Sequence, residues 1–191
     1  TGSGKTRIAL MLARGSTLVI CPKTQKEDGN WKRELISIGL SSGRIKPSVS
    51  FSHHIQLTVI SKETFRRDHA SLPSFDTVIV DEAHTCLGVT PNTRQRKRVV
   101  IPKTSQLYEA LESFLTRTNP ERVYLCTATI MKSPFTVWAA ARLLRGGEGI
   151  QGFYNFRDTF YQKLPMPGRE VYIPKNTPEC KRLLVDLAPD R

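Results

Sequence analysis

The chain is expected to fold as an α/β domain with a mostly parallel sheet and helices on both faces. Two observations carry that expectation. Short β-rich apolar runs alternate with segments of helical period, which is the pattern of βαβ units. Two of those runs then end directly in polar residues suited to chemistry, Asp81-Glu82-Ala83-His84 and Thr127-Ala128-Thr129. Right-handed crossovers bring the ends of parallel strands to one edge, outside which ligands of open α/β sheets bind.

Taken in order, the elements begin with Thr1-Gly2-Ser3-Gly4-Lys5-Thr6. This is the back half of the phosphate-loop pattern G-x-x-x-x-G-K-[ST], which follows a strand and opens a helix. The leading glycine falls two residues before Thr1, so that glycine and its strand are expected to be missing and the fold to be truncated there. Gly2, Ser3, Gly4, Lys5, Thr6 and Arg7 form the candidate nucleotide site. In it Gly4 permits close backbone approach, Lys5 supplies a point charge for the β- and γ-phosphates, and Thr6 offers a hydroxyl to Mg²⁺. Ile8 to Ala13 read as the following helix, its N-terminus toward the phosphates.

Thr17 to Cys21 is a short buried strand ended by Pro22, and Trp31 to Ile38 has helical period. Leu57 to Ile60 is a second strand, followed by a polar helical start at Ser61 to Arg67. Thr77 to Val80 is a third. Residues 85 to 104 show no apolar period, carry Arg94, Arg96, Lys97, Arg98 and Lys103, and read as an exposed loop. Ser105 to Leu115 is a helix capped by Thr104 or Ser105. Val123 to Cys126 is a fourth strand, and Phe135 to Leu144 a helix stopped by Gly146-Gly147. Residues 1–150 are read as one lobe. Residues 151–191, rich in proline, are read as a connector ending in a short helix near Cys180 to Leu187.

At 191 residues the chain is about one domain long. Lys and Arg number 29 against 17 Asp and Glu, a net charge of +12. A surplus of that size points to a polyanionic partner, because each phosphate neutralised releases counterions. The four cysteines, Cys21, Cys86, Cys126 and Cys180, lie far apart without a C-x-x-C pair, and His53-His54 has no companion at zinc spacing. Metal and disulfide frameworks are disfavoured and a reducing interior is expected: cytoplasmic or nucleoid-associated, or nuclear in a eukaryote. No apolar run is long enough for a membrane span.

Asp81-Glu82 directly follows an apolar strand, where two adjacent carboxylates serve nucleotide hydrolysis. Asp81 holds Mg²⁺, directly or through water, and Glu82 orients and deprotonates the attacking water. An ordinary acidic turn is the plain alternative, disfavoured by the phosphate loop upstream. His84 either couples the γ-phosphate site to the rest of the protein or caps a turn. Trp31 and Phe135 are read as core.

With these motifs in place, the chain resembles the first RecA-like lobe of superfamily 2 helicases and translocases, a P-loop NTPase lobe. TGSGKT resembles motif I, DEAH motif II and Thr127-Ala128-Thr129 motif III. The likeness is closer to the Swi/Snf-type branch, through Cys21-Pro22-Lys23, Asn30-Trp31-Lys32-Arg33-Glu34, Trp138 before Ala141-Arg142-Leu143-Leu144, and the spacing of Phe153, Phe156 and Phe160. Leu183 to Pro189 resembles the stretch before that branch's double-arginine element. Ile130 and Ser133 depart from it, where proline and asparagine are usual, and the basic loop at 91–104 resembles an insertion. A phage or bacterial translocase fits the resemblance.

The resemblance implies an ATP-hydrolysing motor lobe that moves on nucleic acid, most often double-stranded DNA. Its cofactors are ATP and Mg²⁺, and a second RecA-like lobe, absent from this chain, supplies arginine fingers. The isolated chain is therefore expected to hydrolyse ATP slowly or not at all, since such a finger contributes about 10³–10⁵ in rate. His84, Thr127, Ala128 and Thr129 carry the coupling role. Nucleic-acid contacts are expected around Pro22 and Lys23 and around Ser61, Lys62, Glu63 and Thr64. The cluster Arg94, Arg96, Lys97 and Arg98 reads equally as a DNA-facing or a solvated loop. The alternative is a catalytically inactive nucleic-acid-binding module that retains the fold.

Overall fold

In a computed structural model, residues 4–38, 55–90, 103–128, 134–145, 152–166 and 169–180 are described. In chain order the elements are α1 (Lys5–Leu12), β1 (Gly15–Cys21), α2 (Lys23–Glu27), α3 (Asn30–Ser37), β2 (Ile55–Ser61), α4 (Lys62–Asp68) and β3 (Thr77–Asp81). After a short 3₁₀ turn, Ala83–Thr85, come β4 (Val89–Thr90), β5 (Lys103–Thr104), α5 (Gln106–Thr118) and β6 (Arg122–Cys126). The last are α6 (Pro134–Leu144), α7 (Phe153–Phe160), β7 (Tyr161–Met166) and β8 (Arg169–Pro174). They fall into two units, Thr1–Cys86 with Gln106–Ala128 and Leu87–Ser105 with Thr129–Arg191. The boundary at 150/151 read from the sequence lies inside the second.

The first unit is an α/β fold on an all-parallel sheet in the order β2-β1-β3-β6. The middles of the two inner strands, Leu18 to Cys21 and Val78 to Val80, are continuously apolar because both of their faces are covered. Val19 and Cys21 alternate with Leu18 and Ile20 across β1, and all four are buried. On one face Val19, Cys21, Ile55 and Ile79 pack with Ala9, Leu10 and Ala13 and with Trp31. On the other, α4 lies against β1 and β2 and carries α5 beside it. There Phe65 meets Phe114 edge to face at 5.4 Å, a contact worth about 0.5–1.5 kcal/mol beyond its buried area.

The amino ends of β1 and β3 are locked together by polar groups. Asp76 accepts from the Ser16 N–H at 2.7 Å and from its hydroxyl at 2.8 Å, and the Asp76 N–H donates back to the Ser16 carbonyl at 2.9 Å. Gly15 turns the chain into β1 at φ +60°, and an added Cβ would stand 2.2 Å from an Asp76 carboxylate oxygen. The position needs glycine on both counts.

The second unit includes α6, α7, β7 and β8. Phe153 and Phe156 are buried on α7, Phe135 stacks on Phe153 at 3.9 Å, and Trp138 stands edge-on to the same ring at 6.0 Å. The following chain is an antiparallel hairpin, β7 with β8. Pro165 and Pro174, residues that disfavour central strands, both lie in this hairpin. In a two-stranded sheet each strand is an edge, with half its N–H groups outside the ladder, so proline is tolerated. Residues 181–187 of the expected terminal helix lie outside the described residues. No helix among the described residues is long and apolar enough to cross a membrane.

Candidate functional site

The register of the parallel sheet aligns the carboxyl ends of its strands. Cys21 pairs with Ser61, Ile20 with Val80, and Asp81 with Cys126. Cys21, Ser61, Asp81 and Cys126 therefore form a row along one edge. Helix α1 leads into the opposite, amino end of β1, so its N-terminus returns to the same edge.

That N-terminus begins at Gly4, with φ +71°, a left-handed conformation open to glycine without strain. The Ile8 N–H closes the first turn on the Gly4 carbonyl at 2.9 Å. No side chain caps α1, and its first turn holds no acidic residue, so the N-terminal N–H groups suit an anion. Lys5 and Thr6 are half-buried. Arg7 turns its guanidinium to α3 instead, 3.5 Å from Glu34 and 3.3 Å from the Ser37 hydroxyl. Gly2 and Ser3 lie outside the described residues.

Asp81 is 5% exposed. Burial raises its pKa, and the Glu82 N–H, donating to Asp81 Oδ1 at 2.9 Å, opposes that. The Trp31 indole N–H is buried without a hydrogen bond of normal geometry, yet it lies near enough to Asp81 to favour the carboxylate. A buried carboxylate whose charge is only partly compensated suits a divalent cation, which would reverse the direction of that shift. The Cys126 thiol, pushed up to about 12 by burial and by Asp81, is pulled down by Lys5 and up by Glu82.

Glu82 adopts φ +45°, ψ +51°. A non-glycine residue there carries a strain of about 1–2 kcal/mol. Its carboxylate lies 3.3 Å from His84 Nδ1, and the same nitrogen lies 3.1 Å from Thr127 Oγ1. The His84 ring thus joins the turn after β3 to the residue after β6. Ala128 is exposed beside Thr127, and Thr129 lies outside the described residues.

The remaining predicted residues divide. Pro22 precedes α2, and the exposed Lys23 pairs with Glu27 at 3.7 Å. Ser61 caps α4, accepting from the Thr64 N–H at 3.2 Å. Lys62 is turned inward, 8% exposed, with Nζ 2.8 Å from the Glu82 carbonyl oxygen. Arg94, Arg96, Lys97 and Arg98 lie outside the described residues. Sequence reasoning missed Thr85, whose hydroxyl accepts from the Lys62 ammonium at 2.6 Å, and the left-handed backbone of Glu82. The groove lined by Arg66, Arg67, His69, Gln106 and Glu109 contains none of the carboxyl-edge residues.

No family model matches the chain, and no curated protein matches it. Among the solved structures to which the chain is similar is the Sulfolobus solfataricus SWI2/SNF2 ATPase core in complex with dsDNA, 16% identical with a TM-score of 0.48. The match covers 82% of this chain and 30% of that one, so the chain spans less than a third of that structure's length.

Proposed function

We propose that the chain is the ATP-binding motor lobe of a nucleic-acid-dependent ATPase. In this reading it is a first RecA-like lobe of the superfamily 2 helicase and translocase type, nearest the Swi/Snf-type branch. The observation that carries it is the meeting of Asp81, Glu82, His84 and Thr127 on the sheet edge to which the N-terminus of α1 returns. A scattered set of motif residues would not support it.

Lys5 and the backbone N–H groups of the first turn bind the β- and γ-phosphates of ATP. Arg7, its guanidinium committed to Glu34, contributes through the backbone. Thr6 and Asp81 would hold Mg²⁺, which when bound would offset the charge on the phosphate oxygens. Glu82 aligns a water against the γ-phosphorus and accepts its proton. The new bond joins the water oxygen to that phosphorus, and the bond to the β–γ bridging oxygen breaks, releasing ADP. His84, touching both the Glu82 carboxylate and Thr127, passes the occupancy of the site toward motif III and a second lobe.

Pro22, Lys23 and Ser61 lie at the ends of β1 and β2, and with Arg94, Arg96, Lys97 and Arg98 they are proposed to meet the phosphates of DNA. Such contacts position the strand without reading its sequence. Substitution of Lys5 by alanine tests the nucleotide assignment. Hydrogen bonds to charged groups contribute about 1.5–3 kcal/mol, so affinity for a fluorescent ATP analogue should fall about 10- to 100-fold. Unchanged affinity would overturn the assignment.

A further inference from the structure

Lys62 opens α4, yet its side chain is buried beside the Asp81-Glu82 turn. Its ammonium donates to the Glu82 carbonyl oxygen at 2.8 Å and to the Thr85 hydroxyl at 2.6 Å. The same carbonyl accepts from the Thr85 hydroxyl at 2.9 Å and from the Thr85 N–H at 3.1 Å. On its other side the Glu82 N–H is held by Asp81 Oδ1 at 2.9 Å. Both backbone polar groups of Glu82 are thus fixed, and it stands in the left-handed conformation. Such a conformation persists where its surroundings over-determine it. The bonds within Asp81–Thr85 are local turn bonds. Lys62 comes from a different element, and a buried ammonium is tolerated only when hydrogen-bonded.

We propose that Lys62 is a positioning residue for Glu82. It grips the Glu82 carbonyl and the Thr85 hydroxyl and so sets the direction of the Glu82 carboxylate. Without that grip the Glu82 backbone relaxes toward negative φ, and the carboxylate swings away from the water it deprotonates. The inference rests on Glu82 being the general base. It gives Lys62 no contact with nucleotide, which separates it from Lys5.

The test is Lys62→Met in the full-length protein, which keeps an unbranched stem and removes the donors. Turnover of ATP should fall about 10²-fold, the scale of an ångström-level misplacement of a reacting group. Affinity for a fluorescent ATP analogue should stay unchanged, and amide exchange at Thr85 should speed up. In a Glu82→Gln background the same change should cost nothing more, because the group it positions is gone. Unchanged turnover in Lys62→Met, a loss carried by weakened ATP binding, or a further loss in the Glu82→Gln background would each overturn the clamp. Undiminished turnover in Glu82→Gln alone would instead overturn the reading of Glu82, and the clamp's catalytic meaning with it. Should Lys62→Met not fold, Thr85→Val removes one acceptor of the ammonium and one donor to the Glu82 carbonyl while leaving their direct bond; turnover should then fall less, at unchanged ATP affinity, and unchanged turnover or a loss carried by weakened ATP binding would overturn the clamp.

Discussion

The Nδ1 atom of His84 stands 3.1 Å from the Thr127 hydroxyl, joining the turn after β3 to the end of β6. Replacing Thr127 by valine keeps the shape and removes the hydroxyl. Net loss of a hydrogen bond of this kind is about 0.5–1.5 kcal/mol, so the fold should survive. Nucleic-acid stimulation of ATP hydrolysis by the full-length protein should drop several-fold at unchanged ATP affinity. Steady-state hydrolysis with and without DNA measures it.

Gly15→Ala meets two obstacles at once, a left-handed backbone and the Asp76 carboxylate. Backbone strain alone is about 1–2 kcal/mol. The melting temperature should therefore fall by several degrees. Combined with Asp76→Ala the two changes should be less than additive, because the collision with the carboxylate is then absent and only the backbone strain and a 3.2 Å contact with the residue-76 Cβ remain. Thermal denaturation of both single variants and the double variant measures the difference.

Asp76 also predicts an acid response. The Ser16 hydroxyl, and then the Ser16 N–H, hold its pKa below the usual carboxylate value. A carboxyl with a lower pKa folded than unfolded adds stability above its unfolded pKa, about 3.9, and loses it as pH falls through the folded value. Stability should thus decline below about pH 4, and more gently in Asp76→Asn, which starts lower at neutral pH. Melting curves between acid and neutral pH compare the two.

Phe114 joins α5 to α4 through Phe65 and also meets Phe75 at 6.5 Å. It is fully buried, so Phe114→Ala should destabilise the first unit by about 3–5 kcal/mol. Denaturant titration should show a lower midpoint.

Much of the first unit was legible because its strands advertise burial. Thr17 to Cys21 and Thr77 to Val80 are apolar on successive residues, which a doubly covered parallel strand requires. The Asp81-Glu82 pair stood out because it ends such a strand. Other features depend on contacts distant in sequence. The inward turn of Lys62 reverses the usual reading of a lysine at a helix start, and only the position of Glu82 in space explains it. The β7–β8 hairpin was hidden by Pro165 and Pro174, residues that disfavour central strands but suit a two-stranded ribbon. The strained backbone of Glu82 left no mark in its local sequence.

In the proposed function Glu82, held at the carboxyl edge beside Asp81, is the base that activates water. Hydrolysis of ATP by the full-length Glu82→Gln protein, with ATP binding measured on the same sample, tests it most directly. General-base catalysis contributes about 10²–10⁴ in rate, so turnover should fall by at least about a hundredfold while ATP still binds. Turnover close to that of the unaltered protein would contradict the account.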